Sequence, residues 1–208
     1  MNHRFAVTVV SAMFAATEAR AGAQAQTVSG PKVWQPAPLF SAVDTHGVPR
    51  ELSSLRGKWV VLEWFSHACP YTGKHYGSGN MQKLQREYTA KGVTWLSIVS
   101  SAPGKEGYTS VAEANRLTDE KKAAPTAVIR DTSGVLGHLY GARNTPQLFV
   151  IDPHGVLRYA GAIDDKPTTK IEDIATANNY LRAALDAAMA GKPVAQAVTQ
   201  PYGCTVQY

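Results

Sequence analysis

An apolar run that leads into a cysteine and a proline constrains the fold of this chain more than any other feature. Residues 59–65 read WVVLEWF, a nearly continuous series of side chains that favour β-structure. Such a run is typical of a strand buried on both faces, in the middle of a sheet that helices cover. Pro70 is well placed for the first turn of a helix. The sequence therefore predicts Cys69 at the point where a buried strand passes into a helix.

The remainder of the chain alternates between predicted strands and predicted helices. Helical spacing after Pro70 continues as far as Gly92, where glycine ends the helix. The other predicted elements are strands at 39–44, 93–99 and 126–130, helices at 111–122, 135–140 and 171–190, and a hairpin of 147–151 with 156–159. Strands that alternate with helices and close with a hairpin and a helix predict one α/β domain.

Residues 1–25 have the pattern of a secretory signal peptide. Arg4 supplies a positive start, residues 5–16 are largely apolar, and small-x-small cleavage patterns follow. This apolar run is too short to span a bilayer, which takes about 20 residues. An uncleaved amphipathic anchor is the alternative, and Glu18 and Arg20 disfavour it. The sequence therefore predicts an exported protein, periplasmic or secreted, with no membrane span after signal cleavage.

Three further segments are predicted after the signal peptide. Residues 26–36 form an N-terminal arm, residues 37–190 form the folded domain, and residues 191–208 form a C-terminal tail that carries Cys204. The chain has 2 cysteines, and both remain in the mature protein. In an oxidising compartment, two cysteines form a disulfide or serve in thiol exchange.

The charge pattern narrows the choice of partners. The formal net charge is +5, but the positive side chains are scattered and the longest run is Lys121-Lys122. Because no basic tract with interleaved aromatic residues is present, we expect no nucleic-acid partner.

No nucleotide-binding or haem-attachment motif occurs, so no cofactor is expected. His67, Cys69 and His75 suggest soft Cu(I), yet no cysteine pair accompanies them. We therefore expect no metal and predict that both histidines are partly exposed.

Cys69 is the predicted reactive group. The free N–H groups and the dipole of a helix start stabilise a thiolate, lowering its pKa from about 8.5 towards roughly 3.5–7.5. His67, Lys74 and His75 are close in sequence and are expected to add positive potential. A thiolate in this place favours attack on a disulfide or a peroxide. A buried inert cysteine is the alternative, because free cysteines are among the most buried residues.

Two segments resemble the active-site and cis-proline segments of thioredoxin-fold proteins, in that fold's order and spacing. They are VLEWFSHACPYT at residues 61–72 and GARNTPQLFVID at residues 141–152. PLF at 38–40 and LRGK at 55–58 resemble the opening of the redoxin (AhpC/TSA, peroxiredoxin-like) family. The resemblance covers about residues 36–190. It implies a thioredoxin-like α/β fold, in which helices flank a central mixed β-sheet.

The resemblance also implies roles for individual residues. Cys69 matches the nucleophilic cysteine, and Pro146 matches the cis-proline that lies against it. Thr145, just before that proline, is expected to present its backbone to a bound peptide or thiol. Glu63 stands six residues before Cys69, where thioredoxins carry a buried acid that relays protons. A buried carboxyl group has a raised pKa that suits acid–base work.

The surroundings of Cys69 depart from both branches of this fold. Dithiol members have a second cysteine three residues later, where this chain has Thr72, so there is no CxxC site. Thr72 is expected to donate a hydrogen bond to the thiolate instead. In the peroxiredoxin pattern P-x-x-x-T/S-x-x-C, Ser66 fits the hydroxyl position and is a predicted substrate contact, but Leu62 replaces the proline. The chain therefore resembles an intermediate between the two branches and is most similar to peroxiredoxin-like redoxins.

Cys204 is the candidate for the missing thiol. A resolving cysteine on a mobile tail is a device of two-cysteine peroxiredoxins, so the resemblance implies a cycle in which Cys69 is oxidised and Cys204 condenses with it. The implied partners are a peroxide or disulfide substrate and an external dithiol reductant. Thiol–disulfide exchange is one alternative. A non-catalytic binding module with a structural Cys69–Cys204 disulfide is another, and the oligomeric state stays open.

Overall fold

A computed structural model describes Met1 and residues 30–208. Apart from Met1, the predicted signal peptide lies outside the described residues. The helices and strands of the described part are β1 Ser41–Val43, β2 Pro49–Glu51, β3 Val60–Trp64, α1 Pro70–Gly77, α2 Asn80–Ala90, β4 Thr94–Val99, α3 Val111–Glu120, β5 Ala127–Arg130, α4 Val135–Tyr140, β6 Asn144–Thr145, β7 Gln147–Ile151, β8 Leu157–Gly161, α5 Tyr180–Met189 and β9 Cys204–Thr205. Short 3₁₀ helices occupy Leu52–Leu55 and Ile171–Thr176.

A five-stranded mixed sheet forms the centre of the molecule. Its order is β5-β4-β3-β7-β8, with β3, β4 and β5 parallel and β7 antiparallel to both β3 and β8. Helices α2 and α5 cover one face, whereas α4 and the 3₁₀ helix at Leu52–Leu55 lie on the other. The expected central mixed sheet flanked by helices is therefore confirmed.

Strand β3 runs through the middle of the sheet, as its apolar run predicts. All five of its residues are buried. Val61 belongs to the core under α2 and α5, while Leu62 and Trp64 belong to the core on the opposite face. Full burial of one such aliphatic side chain contributes about 1.5–3 kcal/mol. These contacts fix the end of β3, and hence the place where Cys69 begins the next helix.

Two predicted helices are each broken in the structure. The helix expected between Pro70 and Gly92 is divided into α1 and α2 by Gly79, whose φ of 76° lies in the left-handed region. The last helix is divided into a 3₁₀ turn and α5. There Asn179 caps α5, because its side chain accepts the backbone N–H of Arg182 at 2.8 Å. The prediction of continuous helices was wrong at both places.

The C-terminal tail lies against the domain along its length. Val198 forms a bridge to Ala160, and β9 pairs with β6 so that Cys204 is opposite Thr145. At the chain end, the Tyr208 hydroxyl donates to the Ala142 carbonyl at 2.6 Å. The sequence predicted neither β6 nor β9. Among the described helices, none has the length and apolar character that a membrane crossing requires.

Candidate active site

Cys69 occupies the N-cap of α1, directly before Pro70. Its backbone is extended (φ −77°, ψ 121°), and its carbonyl accepts the N–H of Gly73 at 2.8 Å, so the helix begins at the next residue. The first N–H groups of a helix have no partner within it. One of them, on Thr72, stabilises the Cys69 thiolate and lowers the pKa of the thiol. The predicted position of Cys69 at a helix start is confirmed.

A small cavity opens beside the sulfur of Cys69. Its volume is about 30 Å³, which is room for one or two molecules of the size of water. Cys69 itself is only 3% exposed, whereas Cys204 is half-buried. The walls come from the β3–α1 loop, the end of β4, the residue before Pro146 and the tail, and include Ser66, Cys69, Ser101, Glu106, Thr145, Cys204 and Gln207.

The Thr145–Pro146 peptide bond is cis, as the resemblance implied. The bond presents the Thr145 carbonyl to the Cys69 thiol, which donates to it at 3.1 Å. The same residue pairs with Cys204 across the β6–β9 ladder. Thr145 therefore lies between the two cysteines and contacts both.

The two thiols have opposite shifts in pKa. Burial by itself raises the pKa of Cys69, but the Cys204 thiol, the Thr145 side chain and nearby backbone N–H groups outweigh it, and the net pKa is lowered. Burial, the interaction with Cys69 and the negative charge of Glu106 raise the pKa of Cys204 to about 12. Cys69 is therefore the more acidic of the two thiols, and the protonated Cys204 thiol donates a hydrogen bond to the Cys69 sulfur.

Glu63 is fully buried but contacts neither cysteine. Its oxygens accept hydrogen bonds from four side chains on α1, α2 and β4: Tyr76 at 2.7 Å, Gln85 at 3.1 Å, Trp95 at 2.7 Å and Ser97 at 2.8 Å. Burial raises its pKa in spite of these donors. The expected burial is confirmed, while a proton-relay role for Glu63 stays a prediction.

Thr72 and Ser66 differ in what they bring to the cavity. The Thr72 side chain is buried, and its hydroxyl has no hydrogen-bond partner among the described residues. The expected contact with the thiolate comes from the Thr72 backbone instead. Ser66 is partly exposed on the cavity wall, and its hydroxyl accepts the N–H of Ala68 at 3.3 Å.

The histidines near Cys69 do not supply the expected positive charge. Burial, with Lys121 and Arg116, lowers the pKa of His67 to about 4. Burial, against the opposing effect of Asp164, lowers that of His75 to about 4 as well. Both rings are neutral near pH 7, and His75 is buried rather than partly exposed. Within the part of the chain that the structure describes, no three potential ligands lie together as a metal site.

Several residues of the site gave no signal in the sequence. Glu106 and Gln207 line the cavity from a loop and from the chain end. Tyr202 anchors the tail on Asp164, a residue 38 positions earlier. These contacts join segments that are distant along the chain, and none follows a periodic pattern or a motif. Only the glycine and proline residues of the tail indicated that it could bend back.

Comparison with known proteins gives the chain a family and a fold. A sequence model described as the AhpC/TSA family matches residues 33–160, which include Cys69 and Pro146. None of the curated proteins matches the chain at a significant level.

Solved structures of low sequence identity share the fold. A hypothetical protein from Sinorhizobium meliloti 1021 has a TM-score of 0.70 at 21% identity, over 86% of this chain and 96% of that chain. The thioredoxin domain of a thiol-disulfide oxidoreductase from Bacteroides vulgatus has a TM-score of 0.51 at 14% identity, over 71% and 98%. A candidate thiol:disulfide interchange protein DsbE from Chlorobium tepidum has a TM-score of 0.50 at 25% identity, over 64% and 85%. The thioredoxin-like fold is therefore confirmed.

Proposed function

This chain belongs to the AhpC/TSA family, whose members are redoxins, and we propose that it reduces peroxides with Cys69 as nucleophile and Cys204 as resolving cysteine. The observation that carries the proposal is the geometry of the two thiols: Cys69 caps the start of α1, its sulfur lies 3.1 Å from the Thr145 carbonyl, and Cys204 pairs opposite Thr145. The pKa of Cys69 is lowered and that of Cys204 is raised in this arrangement. The thiolate is the nucleophilic form of cysteine, so this order assigns the first step to Cys69.

The cycle balances with one peroxide and one dithiol. The Cys69 thiolate attacks a peroxide oxygen, so that a S–O bond forms, the O–O bond breaks, and the leaving oxygen takes up a proton. The Cys204 sulfur then attacks the sulfenic acid, forming the disulfide and releasing water. An external dithiol reduces the disulfide by two exchange steps and is itself oxidised.

The size of the cavity favours a small oxidant. A volume of about 30 Å³ beside a sulfur that is 3% exposed accepts a molecule such as hydrogen peroxide. Ser66 lies on the cavity wall, and Thr145 lies next to the sulfur. We propose that their hydroxyls bind the peroxide oxygens, and that Pro146 holds Thr145 in place.

Thiol–disulfide exchange is the second candidate function. It is favoured by the pairing of β9 with β6, where a segment that carries a cysteine lies along the backbone of Asn144 and Thr145. A cysteine-containing segment of a partner would fit the same edge after the tail moves away. For this reaction Cys69 would attack the partner's disulfide directly.

Stopped-flow addition of hydrogen peroxide to the reduced protein tests the proposal. We expect rapid peroxide consumption that Cys69→Ser reduces at least about 1000-fold, since the uncatalysed reaction is then all that is left. Cys204→Ser should keep the first step and accumulate sulfinic acid at Cys69. Equal, slow reaction of the wild type and Cys69→Ser would exclude peroxide reduction. Turnover with a small disulfide but not with peroxide would favour the exchange reaction, and neither turnover would favour a non-catalytic module.

We also propose that the protein is exported, on the strength of the signal-peptide pattern at residues 1–25. The mature protein would then act in an oxidising compartment, where its reductant must be supplied by a dithiol partner. N-terminal sequencing of the protein purified from its native cells tests this; a chain that still begins at Met1 would contradict it.

A further inference from the structure

The tail is held just before Cys204 by a buried polar cluster, formed by Lys74, His75, Asp164 and Tyr202. The Tyr202 hydroxyl donates a hydrogen bond to Asp164. The Nε2 atom of His75 lies 3.3 Å from the same hydroxyl. The Nζ of Lys74 lies 3.5 Å from Asp164 and donates to the Lys166 carbonyl at 2.7 Å. The side chains of Lys74, His75 and Asp164 are almost completely buried. We call these four residues the tail anchor.

The donor and the acceptor of each hydrogen bond in the tail anchor can be assigned, starting from His75. The Asn80 side chain lies 2.9 Å from Nδ1 of His75, and since an amide nitrogen only donates, Nδ1 must accept. A neutral ring then carries its proton on Nε2 and donates it to the Tyr202 oxygen. Tyr202 in turn donates to Asp164. Each of these hydrogen bonds therefore has one donor and one acceptor. The Tyr202 hydroxyl accepts from His75 and donates to Asp164.

The same cluster connects the two reactive segments. Lys74 and His75 belong to α1, the helix that Cys69 begins, whereas Tyr202 stands two residues before Cys204. Between them, Gly203 passes directly over Thr145: its φ is 118°, and a Cβ there would collide with the Thr145 carbonyl oxygen. The Asn144 side chain also donates to the Gly203 carbonyl at 3.1 Å. The path of the backbone from Tyr202 to Cys204 is therefore closely defined.

We propose that Tyr202 is a positioning residue for disulfide formation, which fixes the Cys204 thiol beside Cys69 through its hydroxyl bonds to Asp164 and His75. This inference rests on the proposed function only in that Cys69 and Cys204 react with each other. The anchor raises the effective concentration of one thiol at the other, because the ordering of the tail is completed before the reaction. The first attack by Cys69 depends on the anchor only through the hydrogen bond from the Cys204 thiol, so it changes less than disulfide formation does.

A redox titration in glutathione buffers tests the inference without any peroxide. Reduced protein and one oxidised glutathione give the protein disulfide and two reduced glutathiones, so the equilibrium constant is the effective concentration of the two thiols. Tyr202→Phe removes only the hydroxyl and keeps the ring contact with Tyr71. We expect this variant to lower the effective concentration about tenfold, which is 1.4 kcal/mol.

Tyr208→Phe is the matched control. It removes a tyrosine hydroxyl that holds the other end of the same tail on Ala142, and we expect less than a twofold effect. An unchanged titration for Tyr202→Phe would overturn the inference. Equal losses in both variants would also overturn it, because they would indicate general loosening of the tail.

Two further measurements separate this inference from the proposed function. With peroxide, Tyr202→Phe should slow the disulfide step about tenfold, slow the oxidation of Cys69 by less than that, and increase the sulfinic fraction. If the wild type consumes no peroxide, the proposed function fails, yet the glutathione titration still decides the role of Tyr202.

Should Tyr202→Phe not fold, His75→Phe removes the Nε2 donor from the anchor. Its effective concentration should fall about threefold, and wild-type values would overturn the inference.

Discussion

The two cysteines lie in regions that are built in different ways. Cys69 stands at a junction between β3 and α1, where a buried strand and a helix start determine its surroundings locally. Cys204 stands in a tail that is held by contacts with distant residues, such as Asn144, Asp164 and Ala142. Burial raises the pKa of both thiols, but hydrogen bonds from Cys204, Thr145 and the helix start outweigh it at Cys69, whose pKa is lowered, while the pKa of Cys204 stays raised. The comparison shows that burial alone does not decide the direction of the pKa shift: the more buried cysteine is the one with the lowered pKa.

The largest expected effect is the difference in alkylation rate between the two thiols. Exposure predicts that half-buried Cys204 reacts first, whereas ionisation predicts Cys69, because only the thiolate attacks. We expect iodoacetamide at pH 7 to label Cys69 of the reduced wild type at least about 100-fold faster than Cys204. Site-resolved mass spectrometry measures both rates in one sample.

The unfolded chain is the control for this measurement. In urea the two cysteines should be labelled at nearly equal rates, because both environments are lost. If Cys204 reacts first in the folded protein, exposure and not ionisation governs the site, and the assignment of the nucleophile to Cys69 is wrong.

This contrast also explains what the sequence could predict. The strand of residues 59–65 and the helix start at Pro70 depend on neighbouring residues, so local patterns indicate them, whereas the cis bond at Pro146 was implied by the resemblance to thioredoxin-fold proteins. Strands β6 and β9 have two residues each and pair across 59 positions, which leaves no periodic signal. Such a short pairing forms only because the rest of the fold brings the two segments together.

The burial of polar and charged residues on α1 was also beyond what local sequence patterns can predict. Lys74 and His75 are residue types that are mostly exposed or only partly buried, and the sequence predicted that His75 is partly exposed. Asp164 overrides that preference from a loop after β8, about ninety positions away, by pairing with Lys74. Such a pair is invisible until the sheet and α1 are assembled. The helix breaks at Gly79 and Asn179, by contrast, could have been predicted, because glycine is a known turn-forming residue and asparagine a known helix cap.

An intermediate effect is expected for Glu63→Gln at the junction. In the folded protein the pKa of Glu63 is raised above its ordinary value of 4.5, mainly by burial, so the folded state binds the proton more tightly than the unfolded state. The carboxyl group therefore contributes stability that is full below pH 4.5 and is lost as the pH rises through the folded-state value. Glutamine does not ionise. We expect the variant to be less stable by about 1 kcal/mol at pH 4.5, and the gap to close or reverse by pH 8.

Urea unfolding at several pH values measures this effect, and Glu87→Gln is the control with the opposite sign. Hydrogen bonds from Lys91 and Arg182 lower the pKa of Glu87, so its contribution is present above pH 4.5 and is lost as the pH falls. The two variants should therefore diverge from the wild type in opposite directions along the pH axis. Parallel pH profiles would contradict the raised pKa of Glu63.

The smallest effect is expected for Thr72→Val, three residues after Cys69. The Thr72 hydroxyl has no partner among the described residues, whereas its backbone N–H stabilises the Cys69 thiolate. Valine keeps the shape and the N–H, so the rate of Cys69 alkylation at pH 7 should stay within about twofold of the wild type. Removal of a buried hydroxyl without a partner should raise the free energy of unfolding by about 1 kcal/mol.

Thr145→Val is the matched variant, because the Thr145 side chain helps to lower the pKa of Cys69. In this variant the absorbance of the Cys69 thiolate should titrate at higher pH. A tenfold loss of reactivity in Thr72→Val would show that the hydroxyl contacts the thiolate after all, and that the junction tunes Cys69 through a side chain as well as through its backbone.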